Sequence, residues 1–185
     1  RGSTNAAKVL YPDRNDAQVT ASSTTSITHL NSDGFTIGSS DGSVNADGDT
    51  YVGWCWDAGT AAATASTDGS ITPTAQWVNA TAGFSISAYT GTGSAATIGH
   101  GLGAKPEFII VKSRDDQSSN QSWTVHHKDV AIANTLILND SDQAGASGSW
   151  NSTAPTNTVF SIGTVEVVNT NAKDYIAYCW TSIPG

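Results

Sequence analysis

Three residues with side-chain oxygens stand at alternate positions of one Gly-containing loop. Asn45, Asp47 and Asp49 stand at every second position around Gly48. Calcium loops use such an arrangement, because Ca²⁺ takes several carboxylate and amide oxygens from one flexible segment. A related loop further along the chain carries Lys173 in the same region, so a plain turn stabilised by Asp, Asn and Gly is the expected structure. Calcium is retained as the one cofactor hypothesis.

The other reactive groups do not form a catalytic pattern. Glu107 and Glu166 are the only glutamates, and both stand beside apolar residues without the pairing that a glycosidase needs. None of the four histidines belongs to an HExxH or similar zinc motif. We expect His100 to form hydrogen bonds within a Gly-rich turn, and Cys55 and Cys179 to be buried free thiols. The sequence therefore predicts a protein that is not an enzyme.

The charge content excludes two classes of partner. Only 13% of the residues are charged, and the formal net charge is −8. Affinity for nucleic acid depends on clustered Lys and Arg side chains that release counterions, and the sequence has no such cluster. Its apolar runs are also far shorter than the ~20 residues that cross a bilayer. We expect neither a nucleic-acid partner nor membrane insertion.

Two sequence blocks recur at a separation of about 125 residues. FTIG at 35–38 matches FSIG at 160–163, and YVGWCW at 51–56 matches YIAYCW at 175–180. Between these blocks, the Val-Asn pair at 44–45 matches the pair at 168–169. Self-similarity at a fixed period indicates tandem structural units.

The repeat predicts the organisation of the chain. Residues 1–60 are interpreted as the C-terminal part of a first repeat, and residues 71–185 as a complete second repeat. Residues 61–70 are interpreted as a linker, because they hold small residues and the Asp68-Gly69 turn signal. We expect the front part of the first repeat to lie upstream in a longer polypeptide.

Short runs of β-branched and aromatic residues recur between turn residues, and no window has a helical apolar period. This pattern predicts an all-β fold in which any helix is a single turn. The spacing of the runs fits an antiparallel β-sandwich or jelly roll, whose two sheets bury alternating residues. The predicted strands cover residues 8–11, 34–38, 50–56, 84–89, 107–112, 122–126, 135–138, 158–163 and 174–180.

The YVGWCW strand has two different faces. Alternation places Val52, Trp54 and Trp56 on one face and the smaller residues, with Tyr51, on the other. Residues 175–180 repeat this division. We expect the large aromatic face to lie in the core between two sheets, since buried rings contribute much of a core's apolar area. An exposed platform for sugar rings is the alternative.

Several blocks in combination resemble a repeated domain of large virion structural proteins from tailed bacteriophages, notably marine and cyanobacterial phages. The most specific blocks are GHGLGAKPEFIIVKSR at 99–114 and YVGWCWDAG at 51–59, and the resemblance covers essentially the whole chain. It implies tandem jelly rolls that are concanavalin A-like or laminin-G-like, and it brings no catalytic residues.

The resemblance implies a non-enzymatic virion structural protein in a tail fibre or surface appendage. Such a protein would contact other virion subunits, form a homo-oligomer such as a trimer, and attach to host-surface glycans. The alternative is a carbohydrate-binding, lectin-like module of a secreted or cell-surface protein, which would be extracellular. The candidates for sugar contact are the tryptophans outside the YVGWCW-type strands, namely Trp77, Trp123 and Trp150.

Overall fold

The chain divides into two units in the computed structural model. The structure describes residues 8–20, 26–39, 42–61, 64–115 and 121–183. Unit 1 is formed from Arg1–Tyr11 and Gln18–Cys55, and unit 2 from Pro12–Ala17 and Trp56–Gly185. The division after Cys55 therefore precedes the predicted linker at 61–70.

The described residues of unit 1 form two short antiparallel strand pairs and one helical turn. The Asp33-Gly34 turn closes the second hairpin, where the Asn31 amide donates to the Gly34 carbonyl at 2.7 Å. The pairs are β1 (Lys8–Val9) with β2 (Val19–Thr20) and β3 (Ile27–Leu30) with β4 (Phe35–Ile37), followed by α1 (Gly42–Asn45).

Unit 2 is built around a seven-stranded antiparallel sheet in the order β11-β10-β9-β8-β13-β6-β5. The last strand of the chain thus lies between two earlier ones, while β12 pairs with β7. The elements are β5 (Ala75–Asn79), β6 (Phe84–Thr90), β7 (Ala96–Gly99), β8 (Phe108–Ser113), β9 (Thr124–His127), β10 (Asn134–Ile137), β11 (Gly145–Ala146), β12 (Val159–Ile162), α2 (Glu166–Asn169) and β13 (Asp174–Trp180).

The all-β class is confirmed, and both described helices are single turns. Eight of the nine predicted strands overlap a strand of the structure, but residues 50–56 do not form one. That prediction was wrong, because an alternating sequence becomes a strand only where neighbouring strands bind its backbone. Strands β2, β3, β5, β7 and β11 were not predicted.

The core of unit 2 lies against the small-residue face of β13. Tyr175, Ala177 and Cys179 are fully buried and belong to one cluster with Trp150 and Phe160. The opposite face of β13, which includes Tyr178 and Trp180, is only half-buried. The prediction that the aromatic face forms the core was therefore wrong. The small side chains of Ala177 and Cys179 leave space that the rings of Trp150 and Phe160 help to fill.

The described part of the predicted linker is attached to unit 2. The Ser66 amide donates to Gln76 Oε1 at 2.9 Å, and the Ser70 amide donates to Thr97 Oγ1 at 2.9 Å. A Cβ atom at Gly69 would lie 2.5 Å from the Thr97 carbonyl oxygen, so this close approach requires glycine. Ala62 and Ala63 lie outside the described residues.

Candidate interaction surface

A hydrogen-bonded bracket joins α2 to the start of β13. The Tyr175 hydroxyl donates to the Glu166 carbonyl and accepts from the Thr170 amide at 2.8 Å. The Asn169 side-chain amide donates to the Gly163 carbonyl at 2.7 Å. These bonds satisfy the polar groups at the ends of a helix that is too short to satisfy them itself.

The same bracket occurs in unit 1 at the matching sequence positions. The Tyr51 hydroxyl donates to the Gly42 carbonyl and accepts from the Ala46 amide, both at 2.8 Å. The Asn45 side-chain amide donates to the Gly38 carbonyl at 3.0 Å. The two brackets therefore have the same hydrogen bonds, although Tyr51 is exposed and Tyr175 is buried.

The bracket gives Asn45 a structural role in the loop that was considered for calcium. The matching residue of unit 2, Asn169, is fully buried, and its side chain forms hydrogen bonds with the backbone groups of Thr92, Ser94 and Gly163. Asp47 and Asp49 are exposed. Within the described ranges, no three His, Cys, Asp or Glu side chains are grouped to hold a metal ion. The hydrogen bonds of Asn45 thus explain its presence without an ion, and calcium at Asn45, Asp47 and Asp49 stays a prediction.

Residues 51–55, which we call the 51–55 segment, begin with Tyr51 of this bracket. In the part of the chain that the structure describes, the segment pairs with no strand. Tyr51 is 47% exposed and Gly53 and Cys55 are exposed, whereas the matching Tyr175, Ala177 and Cys179 of β13 are all 0% exposed. The Cys55 thiol is free and exposed. The prediction of two buried thiols is therefore correct for Cys179 and wrong for Cys55.

Within unit 1, the 51–55 segment lies against β4. A Cβ atom at Gly53 would stand 3.0 Å from Cζ of Phe35, so the ring contacts the glycine backbone directly. The matching residues of unit 2, Ala177 and Phe160, share the buried core cluster. The face of Gly53, which matches the buried face of β13 in unit 2, is thus the one turned toward β4 in unit 1.

The outer face of the large sheet carries a group of aromatic rings, which we call the aromatic cluster: Trp56, Phe84, Phe108 and Trp180. Trp180 lies with its ring centroid 4.9 Å from that of Phe84 and 5.1 Å from that of Phe108. Trp56 meets Trp180 edge to face at 5.9 Å and is 56% exposed. Rings at these separations attract one another beyond their area burial.

The three tryptophans considered for sugar contact lie in different environments. Trp150 is 1% exposed and belongs to the core, and Trp123 is 6% exposed. Neither ring offers a free face for stacking on a sugar, which argues against sugar contact at these two positions. A Trp between Ser, Gly or Asn residues gives no sequence signal of its burial. Trp77 is half-buried on β5, and its role in sugar contact stays a prediction.

His100 has the turn role expected from the sequence. It is fully buried, and its Nδ1 accepts from the Leu102 amide at 3.2 Å while Nε2 lies 3.3 Å from the Thr156 carbonyl oxygen. Burial lowers the pKa of His100, opposed by its hydrogen bond to the Thr156 carbonyl. Neutral His100 therefore connects two loops, and Gly101 beside it has the left-handed φ of 72° that this turn requires.

Two further reactive groups are enclosed in unit 2. The Lys112 ammonium donates to the carbonyls of Gln121 at 2.7 Å and Asn15 at 3.3 Å. Burial lowers the pKa of Lys112 to about 8, while the Asp16 carboxylate acts in the opposite direction. Burial also raises the pKa of the Cys179 thiol. Both side chains are fully buried and have no access to a substrate in this conformation.

Among the described residues, none of the helices has the length and apolar character to cross a membrane. No curated protein and no solved structure matches the chain. One family model, described as "Domain of unknown function (DUF7483)", matches residues 1–185 and so includes both units. The chain therefore belongs to the DUF7483 family.

Proposed function

We propose that the chain is a non-enzymatic structural protein of a phage virion, located in a tail fibre or another surface appendage. There it assembles with other virion subunits and as a homo-oligomer such as a trimer. The support is the combination of sequence blocks that resembles repeated virion domains. The reactive side chains His100, Lys112 and Cys179 serve the fold, which agrees with a structural role.

One observation carries the proposal. Residues that are buried in unit 2 have matching residues in unit 1 that are exposed and apolar. Phe160 and Ile162 are 1% and 0% exposed, whereas Phe35 and Ile37 are 40% and 38% exposed. Exposed apolar groups next to unpaired backbone are typical of surfaces that bind further protein. A subunit of a larger assembly needs such surfaces.

The proposed architecture is a tandem array of sandwich repeats. In unit 2, the β7–β12 pair contributes Ile98, Phe160 and Ile162 to the cluster that covers the core face of the large sheet. We take this pair as the second layer of a jelly roll of the concanavalin A or laminin-G type. The matching bracket in unit 1 supports the interpretation of residues 1–60 as the back part of another repeat.

The test is the protein content of purified phage particles. We expect mass spectrometry to detect the chain in particles banded on a density gradient, and immunogold labelling to locate it on the tail or surface. A phage with the gene deleted should give particles that lack the appendage or attach poorly to the host. Presence of the chain in phage-free lysate, together with its absence from pure particles, would overturn the proposal.

Carbohydrate binding is the second candidate, and the aromatic cluster favours it. Trp56 presents an exposed ring beside Trp180, and aromatic faces of this kind stack on sugar rings. A glycan array followed by tryptophan-fluorescence titration, with and without calcium, tests it. Trp56→Ala should abolish a response that Trp54→Ala, a change at another exposed tryptophan, retains. A protein that responds to no glycan in either condition would rule this function out.

A further inference from the structure

We propose that the 51–55 segment is a docking strand, which completes its sheet with the front part of another repeat of this type. The partner is a polypeptide segment that carries two strands with the sequence character of β6 and β8. The inference rests on the repeat organisation within the proposed function and does not depend on the virion setting.

The complete copy shows what the matching strand binds. Each residue of β13 from Tyr175 to Trp180 has a partner on β6 and another on β8. The central residue Ala177 pairs with Ser87 on one side and Val111 on the other. Both neighbouring strands belong to the front part of the repeat, and unit 1 contains no described strand that corresponds to them.

The 51–55 segment has the properties of a strand with unused binding capacity. Tyr51 is fixed by the bracket, and Gly53 lies against Phe35, so the start and the direction of the segment match those of β13. The segment contains no charged residue and no proline. Proteins usually protect an exposed strand with charge, proline or a covering element. An unprotected apolar strand is typical of recognition by strand addition.

The second copy defines the chemistry of the partner. Beside the Tyr51, Gly53 and Cys55 face, the partner offers small hydroxyl residues on one strand, as Ser85 and Ser87 do for β13. Beside Trp54 it offers aliphatic side chains, as Ile86 and Ile110 do for Tyr178. Beside Val52 it offers one small residue and one long one, as Ala88 and Lys112 do for Ile176.

A second copy of this chain is a poorer partner for the segment. In such a copy, β6 and β8 already hold their own β13 through complete ladders. Binding the 51–55 segment there would first displace seven paired residues from the centre of a sheet. The partner that the geometry favours is therefore a front part that has no back part of its own.

The experiment uses the two cysteines as probes. The full chain is fused behind a duplicate of residues 64–126, which contains no cysteine, so that unit 1 receives a front part. We expect the rate of Cys55 labelling by a thiol reagent to fall by about tenfold or more, because the paired strand reacts only on opening. Trp54 fluorescence should shift to shorter wavelength. Cys179 reports in the same sample that unit 2 is folded.

The matched control fusion carries Ile86→Pro and Ile110→Pro in the duplicated segment only. Proline removes a ladder donor from each added strand, so Cys55 should react as fast as in the unfused chain. Where a fusion loses Cys179 protection, residues 64–126 are added as a separate polypeptide to the intact chain, and the same labelling rate is measured.

Two results would overturn the inference. Equal Cys55 reactivity in the fused, mixed and unfused proteins would show that the front part is not the partner. A fall in Cys55 reactivity of the unfused chain with rising concentration would identify a second copy instead. The particle analysis described above is a separate readout, so the virion assignment and the docking strand can fail independently.

Discussion

Two matching stretches of sequence, one in each unit, have the same hydrogen-bonded bracket in opposite environments. Tyr51 and Tyr175 form equivalent hydrogen bonds with backbone groups of the preceding helical turn. Tyr175 is fully buried, whereas Tyr51 is 47% exposed. The bracket is therefore made of contacts that are local in sequence, whereas the paired and buried strand β13 also depends on β6 and β8.

The difference separates two levels of folding. Hydrogen bonds between residues up to about ten positions apart fix the helical turn and the start of the following strand in both units. The β-ladder depends on contacts between distant parts of the chain, such as Tyr178 with Ile86 and Ile110. Local structure can therefore form before, and without, the sheet that gives it a place in a core.

The largest contrast should be found between the two thiols. In the native chain, Cys55 is expected to react with a thiol reagent at least about a thousandfold faster than Cys179, which reacts only when unit 2 opens. Stopped-flow labelling of Cys55→Ala and Cys179→Ala variants measures each thiol alone. Comparable rates would show that the environments of the two copies do not differ in solution.

The matching phenylalanines should differ in their effect on stability. Phe160→Ala removes a core ring and is expected to lower the free energy of unfolding of unit 2 by about 3–5 kcal/mol. Phe35→Ala removes a half-exposed ring and should cost under about 1 kcal/mol. Urea denaturation monitored by circular dichroism tests both. Similar losses would indicate that Phe35 is covered in solution.

The matching asparagines give a smaller contrast. Asn169→Ala removes the partners of the Ser94 and Gly163 carbonyls and of the Thr92 amide. Each buried group left unsatisfied costs roughly 1–3 kcal/mol. The exposed Asn45→Ala should cost a few tenths of a kcal/mol, because water replaces its hydrogen bond. Chemical denaturation of the two variants makes the comparison, and a neutral Asn169→Ala would contradict the role of the bracket.

The smallest effect concerns Lys112 on β8, a strand without a counterpart among the described residues of unit 1. Its pKa is lowered to about 8 from an ordinary value of 10.5. Between these two pH values the unfolded chain binds more protons than the folded chain. The free energy of unfolding should therefore rise with pH, by on the order of 1 kcal/mol. The cost of burying the charge is fully present below about pH 8. Lys112→Met should lose the rise, as measured by urea denaturation at about pH 8 and about pH 10. If the free energy of unfolding changed equally with pH in the native chain and in Lys112→Met, the prediction would be contradicted.

The strands of unit 2 could be predicted where β-branched and aromatic residues form short runs between turn residues, as in β6, β8 and β13. Strand β5 could not, because its residue Gln76 is polar yet buried. Its side-chain amide donates to Ser87 Oγ at 2.9 Å and to the Gly99 carbonyl at 2.8 Å. Only the assembled sheet supplies those partners, so the sequence contains no local signal for a buried strand at this position.

The candidate surface could be predicted in part. The matching Val-Asn pairs and the YVGWCW and YIAYCW blocks indicated equivalent structure, and the brackets around Asn45 and Asn169 agree with it. The covered face of β13 could not be predicted, because alternation defines two faces of a strand and does not say on which of them other elements pack. The exposure of the 51–55 segment could not be predicted either, because it depends on whether other strands pair with the segment, and none of the described strands does.

The path of Pro12–Ala17 has a consequence for gene engineering. These six residues belong to unit 2, where the Asn15 carbonyl accepts from Lys112 and the Asn15 side chain accepts from Asn139 at 2.6 Å. Residues on both sides of them belong to unit 1. A truncation after Cys55 would therefore remove part of unit 2 together with unit 1. An excised unit 2 needs residues 12–17 grafted back through a new loop.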